Sequence, residues 1–538
     1  MFYALLKNTR RNWRKKLSKH KVESLRVKIL MIVTGNSTFG KMLRCYLLCI
    51  SLGAILLFLP FSLNEPYSKK VPGFDGTNSY TFFDAFFMSV SAATNTGIVN
   101  LNVAETYSAF GKSVILILIQ LGGLGLVGVV IVFWNLFKAK RPSDLDVNVT
   151  LFNERGGGKI GNTYKTIVVS IIFVIIVEFI FAVIYSFWFY YSPAYQTQRS
   201  PDNPYYYVDV ECKHVPAYHN TGEAIFWGLF HSVSAINNAG IDIIGANSLA
   251  PYRNDENIFL QICFIIQIVF GGIGYPIIYD IYEHITCRLK HKKHQLHLFS
   301  KIGLVGYLVV TVVGGCFLFG FEYGLKDSFV NRISVSDDNF NPYGRNVALN
   351  KFFAIWFELF STRSAGFSTF DNNLLSQPGL CTVVILMFIG ANPSSTGGGI
   401  RTTTFLIMIM SICSRFRKNT RVNIFGRQIS IQTILMSYIG TFTIFLLIVI
   451  FATVGFAFYG NSKASIFDLF FVCVSAFGTV GLNVVTFNNS SPGEITFLSF
   501  TMVLMIIGQL GVSTVLLNPD KLKNETCSFS YPTEDIKT

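Results

Sequence analysis

Ser91-Ala-Ala-Thr-Asn-Thr-Gly97 closes a stretch of apolar and small residues, and the chain repeats the device three more times. The other copies are Ser234-Ala-Ile-Asn-Asn-Ala-Gly240, Ser361-Thr-Arg-Ser-Ala-Gly366 and Ser475-Ala-Phe-Gly-Thr-Val-Gly481, each set between long hydrophobic runs. A non-helical segment at membrane depth is tolerated only where protein or water satisfies its backbone polar groups. Four such segments therefore imply that they meet around one water-accessible axis.

The composition points the same way. Hydrophobic residues make up 51% of the chain and charged residues 14%, and the apolar residues gather in blocks of about 20 or more, the length that crosses a hydrocarbon core. Spans are expected near 43–63, 112–137, 164–191, 257–284, 299–323, 378–414, 431–459 and 494–518. Those near 378–414 and 431–459 exceed a straight crossing, which means tilt, a break or a projection into water. Leu25–Val33 is too short, and too closely flanked by charge, to be a span or a cleavable signal.

Basic residues from Lys7 to Arg44 crowd the segment before the first span, opposed by Glu23. The positive-inside rule keeps this end in the cytoplasm. The segments carrying Lys138, Lys140 and Arg141, then Arg288, Lys290, Lys292 and Lys293, then Arg415, Arg417, Lys418 and Arg421, return to the same side. Both termini are thus expected inside a plasma membrane. The net charge of +14 is then a topology signal with attraction to anionic headgroups, and no nucleic-acid partner is expected. Cysteines are mostly in or beside apolar spans; Cys212 alone falls in an external loop, so no external disulfide pair and no CxxC metal spacing is available.

Laid out this way, the expected fold class is an all-α integral membrane protein. It has four repeats of span, half-length re-entrant helix, glycine turn and span, with fourfold pseudosymmetry around one axis. The expected boundaries are a basic segment over 1–42, repeats over 43–137, 164–284, 299–414 and 431–518, and a tail over 519–538. The half-length helices are Ser79–Ala93, Thr221–Ile236, Asn350–Thr362 and Ala464–Phe477. At roughly 1.5 Å per residue each reaches only halfway through a bilayer. Their C-terminal ends, which carry partial negative charge, would point at the axis and favour a cation. Asp84 and Asp468 stand at matching places before Gly97 and Gly481 and suit carboxylates that steady a helix N-terminus. Glycine at 97, 240, 366 and 481 permits the backbone angles that turn carbonyls inward as a ring.

These residues resemble the Trk/Ktr/HKT superfamily of potassium transporters, closest to the eight-span, KtrB-like membrane subunit, over about Arg44 to Asn518. The resemblance is carried by Phe83-Asp-Ala-Phe-Phe, Ile119-Gln-Leu-Gly-Gly-Leu-Gly125, Gly271-Gly-Ile-Gly274, Arg363-Ser-Ala-Gly-Phe367 and Ser394-Ser-Thr-Gly-Gly-Gly-Ile-Arg401, together with the four turns. It implies a selectivity filter lined by Thr94, Asn95, Thr96 and Gly97; Asn237, Asn238, Ala239 and Gly240; Arg363, Ser364, Ala365 and Gly366; and Gly478, Thr479, Val480 and Gly481. In that family four filter glycines go with potassium, and a serine in the first goes with sodium-preferring members. The implied cargo is potassium, held by filter carbonyls, with sodium as the alternative; no intrinsic cofactor is implied.

Asn392, Pro393, Ser394, Ser395, Thr396, Gly397, Gly398 and Gly399 interrupt the sixth span with residues that resist helix. Such a break lines a cavity, and it is similar to the family's intramembrane gate loop; a simple kink is the alternative. Relatives often carry Arg after the glycine of the last span, where this chain has Gln509, expected to face the gate loop. Arg363 is expected to hold its half-length helix against Glu358 or Glu322, or else to act on ion occupancy. Glu178, within an apolar span, is expected to face protein. The resemblance also implies a homodimer served by a separate cytosolic nucleotide-binding ring.

An enzyme is disfavoured: no HExxH, DxxD pair, Walker motif or nucleophile with a nearby histidine occurs. Gly156-Gly-Gly158 follows no strand and reads as loop. His291, His294 and His297 lie among lysines and suit a solvated basic loop better than a metal site. A receptor or scaffold would leave the fourfold repetition without a purpose.

Overall fold

The computed structural model describes residues 38–64, 80–125, 163–328 and 347–511, apart from breaks at 193–194, 200–206, 212–216, 246–247, 254, 293–294, 326–327, 419–420, 426, 460–463, 486 and 488–490. The basic segment over 1–37, the Lys138 to Arg141 cluster, Gly156 to Gly158, Cys212, Lys293, His294 and the tail lie outside the described residues.

The described chain is mostly helical. In order the helices longer than two turns are α1 (Thr38–Phe58), α2 (Phe82–Ala93), α3 (Ala109–Leu124), α4 (Thr163–Tyr191), α5 (Thr221–Ile236), α6 (Ile258–Ile273), α7 (Tyr275–Leu289), α8 (Leu298–Gly324), α9 (Val347–Ser361), α10 (Gln377–Phe388), α11 (Thr402–Phe416), α12 (Ile431–Tyr459), α13 (Ile466–Gly478) and α14 (Pro492–Leu510). Two antiparallel hairpins add strand that an all-α reading leaves out: β1 (Tyr195–Arg199) with β2 (Tyr207–Glu211), and β3 (Asn423–Ile424) with β4 (Arg427–Gln428).

Helices α4, α8, α12 and α14 are each long and apolar enough to cross a bilayer. Those at 43–58, 109–124, 377–388 and 402–416, where spans were expected, are shorter apolar helices among the described residues; residues 126–137 of the expected second span and 512–518 of the last lie outside them. The expected span near 257–284 is broken: α6 and α7 meet at a bend of 96°. Gly274, at φ 93°, makes the corner, and Pro276 opens the new helix, a position where proline's missing N–H costs nothing. The expected span near 378–414 is likewise broken, between α10 and α11, whereas α12 runs unbroken through 29 residues.

The half-length helices pack against the longer ones: α2 on α1 and α3, α5 on α4 and α6, α9 on α8 and α6, and α13 on α12 and α14. Small residues let them approach closely. A Cβ at Gly53 of α1 would collide with Ser89, whose Oγ donates to Ile50 O at 2.7 Å. Ser232 on α5 repeats that bond to Glu178 O, also at 2.7 Å. Local chemistry fixes the starts of these helices. Thr81 with Asp84, and Ser465 with Asp468, form reciprocal capping boxes that satisfy N-terminal donors. Asp84 additionally accepts from Asn100 Nδ2 at 2.6 Å, tying the start of α2 to the chain that follows its turn.

Candidate functional site: a ring of four turns and the loop that braces it

Each half-length helix ends in the same backbone figure. Two residues before each glycine the backbone is left-handed, at Asn95 (φ 50°), Asn238 (φ 53°), Ser364 (φ 75°) and Thr479 (φ 47°). Each glycine follows with positive φ, from 65° at Gly240 to 97° at Gly481. The N–H of the residue between them returns to a serine carbonyl in every copy: Thr96 to Ser91, Ala239 to Ser234, Ala365 to Ser361 and Val480 to Ser475, at 2.8–2.9 Å. Those serines open the four quoted sequence motifs, and their bracing role went unread in the sequence. The hydroxyls of three of them also secure the exit from the turn, Ser234 donating to Ile241 O at 2.7 Å, Ser361 donating to Phe367 O, and Ser475 accepting from Gly481 N at 3.2 Å.

The turns close into a ring. A Cβ on Gly97 would meet Ala239 O; on Gly240, Ala365 O; on Gly366, Val480 O; and on Gly481, Thr96 O, each under 3.0 Å. The order is therefore first, second, third, fourth and back to first, with one carbonyl oxygen seated against each glycine. Of the sixteen predicted filter residues that form these turns, fifteen are buried, most with no measurable exposure, and Gly481 is half-buried. A cavity of about 490 Å³ opens on one side, floored by the four glycines and walled by Asn100, Asp242, Asp371 and Asn483 among others.

On the other side lies the break between α10 and α11. Its ends are pinned together, with Ile389 paired to Ile400 and Thr402 N donating to Ala391 O at 3.2 Å. Its first half docks on the α6–α7 corner: Asn392 N donates to Gly272 O at 3.2 Å, Tyr275 N to Ser394 O at 3.1 Å, and Thr396 N to Gly271 O at 3.3 Å. Its second half meets the ring. The Thr396 hydroxyl lies within reach of Ile236 O (3.4 Å) and Gly271 O (3.1 Å). With the Asn238 amide oriented so that its nitrogen donates to Ala235 O, the Asn238 oxygen accepts from Gly272 N and Thr396 Oγ1, both at 3.3 Å. Gly397 packs on Ser364, and Gly398 N donates to Thr479 Oγ1 at 2.6 Å.

Arg363 corrects an expectation. It is wholly buried, but neither Glu358 nor Glu322 is its partner. Glu322 accepts from Ser376 N (3.0 Å) and Ser376 Oγ (2.6 Å) at the start of α10, and the Glu358 carboxylate has no hydrogen-bond partner among the described residues. Arg363 Nη2 instead donates to Gly390 O (3.1 Å) and Thr402 Oγ1 (3.0 Å), at the two feet of the broken segment. Its guanidinium carbon sits 4.8 Å from the centre of the Tyr307 ring, a cation–π placement. Partners 27 and 39 residues away leave no local trace in sequence.

Gln509 also differs from expectation. Its Nε2 donates to Gly122 O at 3.3 Å, at the end of α3, while its neighbour Gly508 is what abuts Gly398 of the loop. Arg401 donates to Gly397 O from within the loop. Glu178 faces protein, accepting from Gln120 Nε2 (3.0 Å) and Asn237 Nδ2 (3.2 Å). His297 pairs with Asp280 at 2.7 Å, and no group of three or more metal-ligating side chains occurs among the described residues.

Residues 65–531 match the TrkH model, described as cation transport protein. The chain belongs to the Trk/Ktr family of cation transport proteins. Within that family it is 37% identical to an uncharacterised cation transporter of Mycoplasma pneumoniae, over 94% of this chain and 97% of the relative. It is 28% identical to the Ktr system potassium uptake protein D of Bacillus subtilis, over 95% of this chain and 99% of that one. Its fold is similar to the crystal structure of the potassium transporter TrkH from Vibrio parahaemolyticus, with a TM-score of 0.59 and 15% identity, covering 88% of this chain and 82% of that one. The Trk/Ktr assignment makes the chain a multi-pass membrane protein of a transporter family, with a KtrB-like sequence.

Proposed function

We propose that this Trk/Ktr protein takes up potassium through a channel-like path along the axis of the ring, with the four turns as filter and the loop at 392–399 as gate. The observation that carries this reading is the closed ring: four glycine turns, each with a neighbour's carbonyl oxygen against it. Carbonyl oxygens at one level can replace the hydration shell of a monovalent cation. The helices α2, α5, α9 and α13 end at that ring, so their C-terminal partial charges add to its attraction for a cation. The driving force is the membrane potential, about 2.3 kcal/mol per charge for each 100 mV.

Four span, half-helix and span units in fourfold pseudosymmetry describe this arrangement, with both termini in the cytoplasm of a plasma-membrane protein. A homodimer served by a cytosolic nucleotide-binding ring completes the reading, supported by the potassium-uptake relative and its description as part of a Ktr system. The test is uptake of rubidium, as a potassium tracer, and of sodium by cells that lack their own potassium uptake. Rubidium entry that depends on this chain and exceeds sodium entry supports the reading; entry of sodium alone, or of neither ion, refutes it.

A further inference from the structure

The four left-handed residues of the ring are braced in two different ways. Asn95 of the first turn donates through Nδ2 to Asn237 O of the second at 3.1 Å, and Ser364 of the third donates through Oγ to Gly478 O of the fourth at 2.9 Å. Those two braces stay within the ring. Asn238 and Thr479, of the second and fourth turns, are bonded instead to Thr396 and Gly398 of the loop. The second and fourth turns are not neighbours in the ring, yet their anchors are two residues apart in sequence. The loop between them spans at most about 7 Å and passes against Ser364 of the third turn on the way.

Thr479 makes this contact consequential. It is a β-branched residue held at φ 47°, a conformation such residues avoid and keep only where the surroundings over-determine it. The bond from Gly398 N is one of the restraints that hold it there. We propose that the loop is a structural member of the ion-selecting ring, a crossbar in which Thr396 and Thr479 act as positioning residues. Withdrawing the loop to admit ions then loosens the second and fourth turns, so the loop's position sets cation preference as well as throughput. This inference rests on the potassium-uptake reading and adds to it a coupling between gate and selectivity.

The experiment compares wild type with Thr396→Val, Thr479→Val, the double variant and Thr479→Ser, measuring initial rubidium and sodium uptake at matched membrane amounts. Valine keeps the shape of threonine but removes the hydroxyl. In Thr479→Val it leaves the buried Gly398 N–H without an acceptor, a loss that shifts a two-state equilibrium about tenfold. Each valine variant is expected to raise maximal rubidium uptake about tenfold and to lower the rubidium-to-sodium ratio about fivefold or more. The double variant is expected to fall short of the product of the single effects, because both bonds hold one loop. Thr479→Ser keeps the acceptor and is expected to retain the wild-type ratio. A wild-type ratio in both valine variants, fully multiplicative effects, or a serine variant that behaves like valine would each overturn the crossbar while leaving potassium uptake intact. If one valine variant fails to reach the membrane, the other decides. Wild type that moves neither ion sinks the underlying reading instead.

Discussion

Serine in place of Gly97 tests whether the ring selects ions. Gly97 holds φ 85°, and an L-residue in that left-handed region costs about 1–2 kcal/mol. The new Cβ would also meet the carbonyl oxygen of Ala239 closer than any ordinary contact. That carbonyl cannot retreat freely, since Ala239 N is bonded to Ser234 O at 2.8 Å and the whole turn is buried. The strain is relieved most readily by tilting the Ala239 carbonyl out of its level, which removes one of the ring's oxygens from an incoming ion. If the 1–2 kcal/mol falls on potassium binding and not on sodium, the potassium-to-sodium ratio drops about 5- to 30-fold. The assay is paired rubidium and sodium uptake at matched membrane amounts. Gly320→Ala is the control, since nothing lies within 4 Å of a Cβ there. A Gly97→Ser protein present at wild-type levels with an unchanged ratio would refute the placement of Gly97 in a selecting ring.

Three further outcomes follow from the side-chain geometry. Arg363→Lys keeps the charge but shortens the reach of the one Nη2 nitrogen that bonds Gly390 O and Thr402 Oγ1 and loses the flat guanidinium over Tyr307; a stability loss of about 1.5–3 kcal/mol is expected, read as a lower thermal unfolding midpoint in detergent, and an unchanged midpoint would show the bracket to be idle. Asp84→Ala is expected to lower that midpoint more than Asp468→Ala, because Asp84 is buried and also bonds Asn100 whereas the cap bonds of Asp468 are exposed; the reverse order would contradict this account of the helix starts. Gln509→Leu removes one bond to Gly122 O and is expected to cost about 1 kcal/mol, while Gln509→Arg buries an unpaired charge and is expected to lower the amount of folded protein without changing the rubidium-to-sodium ratio of what survives. A changed ratio in Gln509→Arg would return residue 509 to the ion path.

How much of this was legible in sequence depends on the range of the interactions. The turns were readable because every part of them is local: serine, helix end and glycine lie within six residues, and the chain writes them four times. The break at 392–399 was readable because proline and three glycines resist helix wherever they stand. The corner at Gly274 carried a signal that went unused, since Pro276 directly after Gly-Tyr marks a helix start, but an uninterrupted apolar count conceals a 96° bend. The partners of Arg363 and Gln509 were not readable at all. Both side chains reach across the fold to backbone carbonyls, and a carbonyl is present in every residue, so no residue type advertises the acceptor.

The third turn shows why the ring, though regular in its backbone, is not symmetric in its supports. Ser361 lies five residues before its glycine, where Ser91, Ser234 and Ser475 lie six before theirs. With one residue fewer, Ser361 O accepts from both Ala365 N (2.9 Å) and Gly366 N (3.3 Å), and the turn is pulled tighter onto its helix. It is this shortened turn that carries Arg363, whose one Nη2 group holds the carbonyl where the loop leaves α10 and the hydroxyl where it enters α11. An arginine suits that task because its Nη2 carries two N–H donors at fixed angles in the guanidinium plane, one for each foot. The consequence is a division of labour within one covalent chain. The third turn fixes the feet of the loop, and the second and fourth hold its middle. The first is tied to its neighbour by Asn95. Four identical turns would offer a loop four equivalent seats and no preferred one; the shortened, arginine-bearing turn supplies the asymmetry that seats a single loop in a single place.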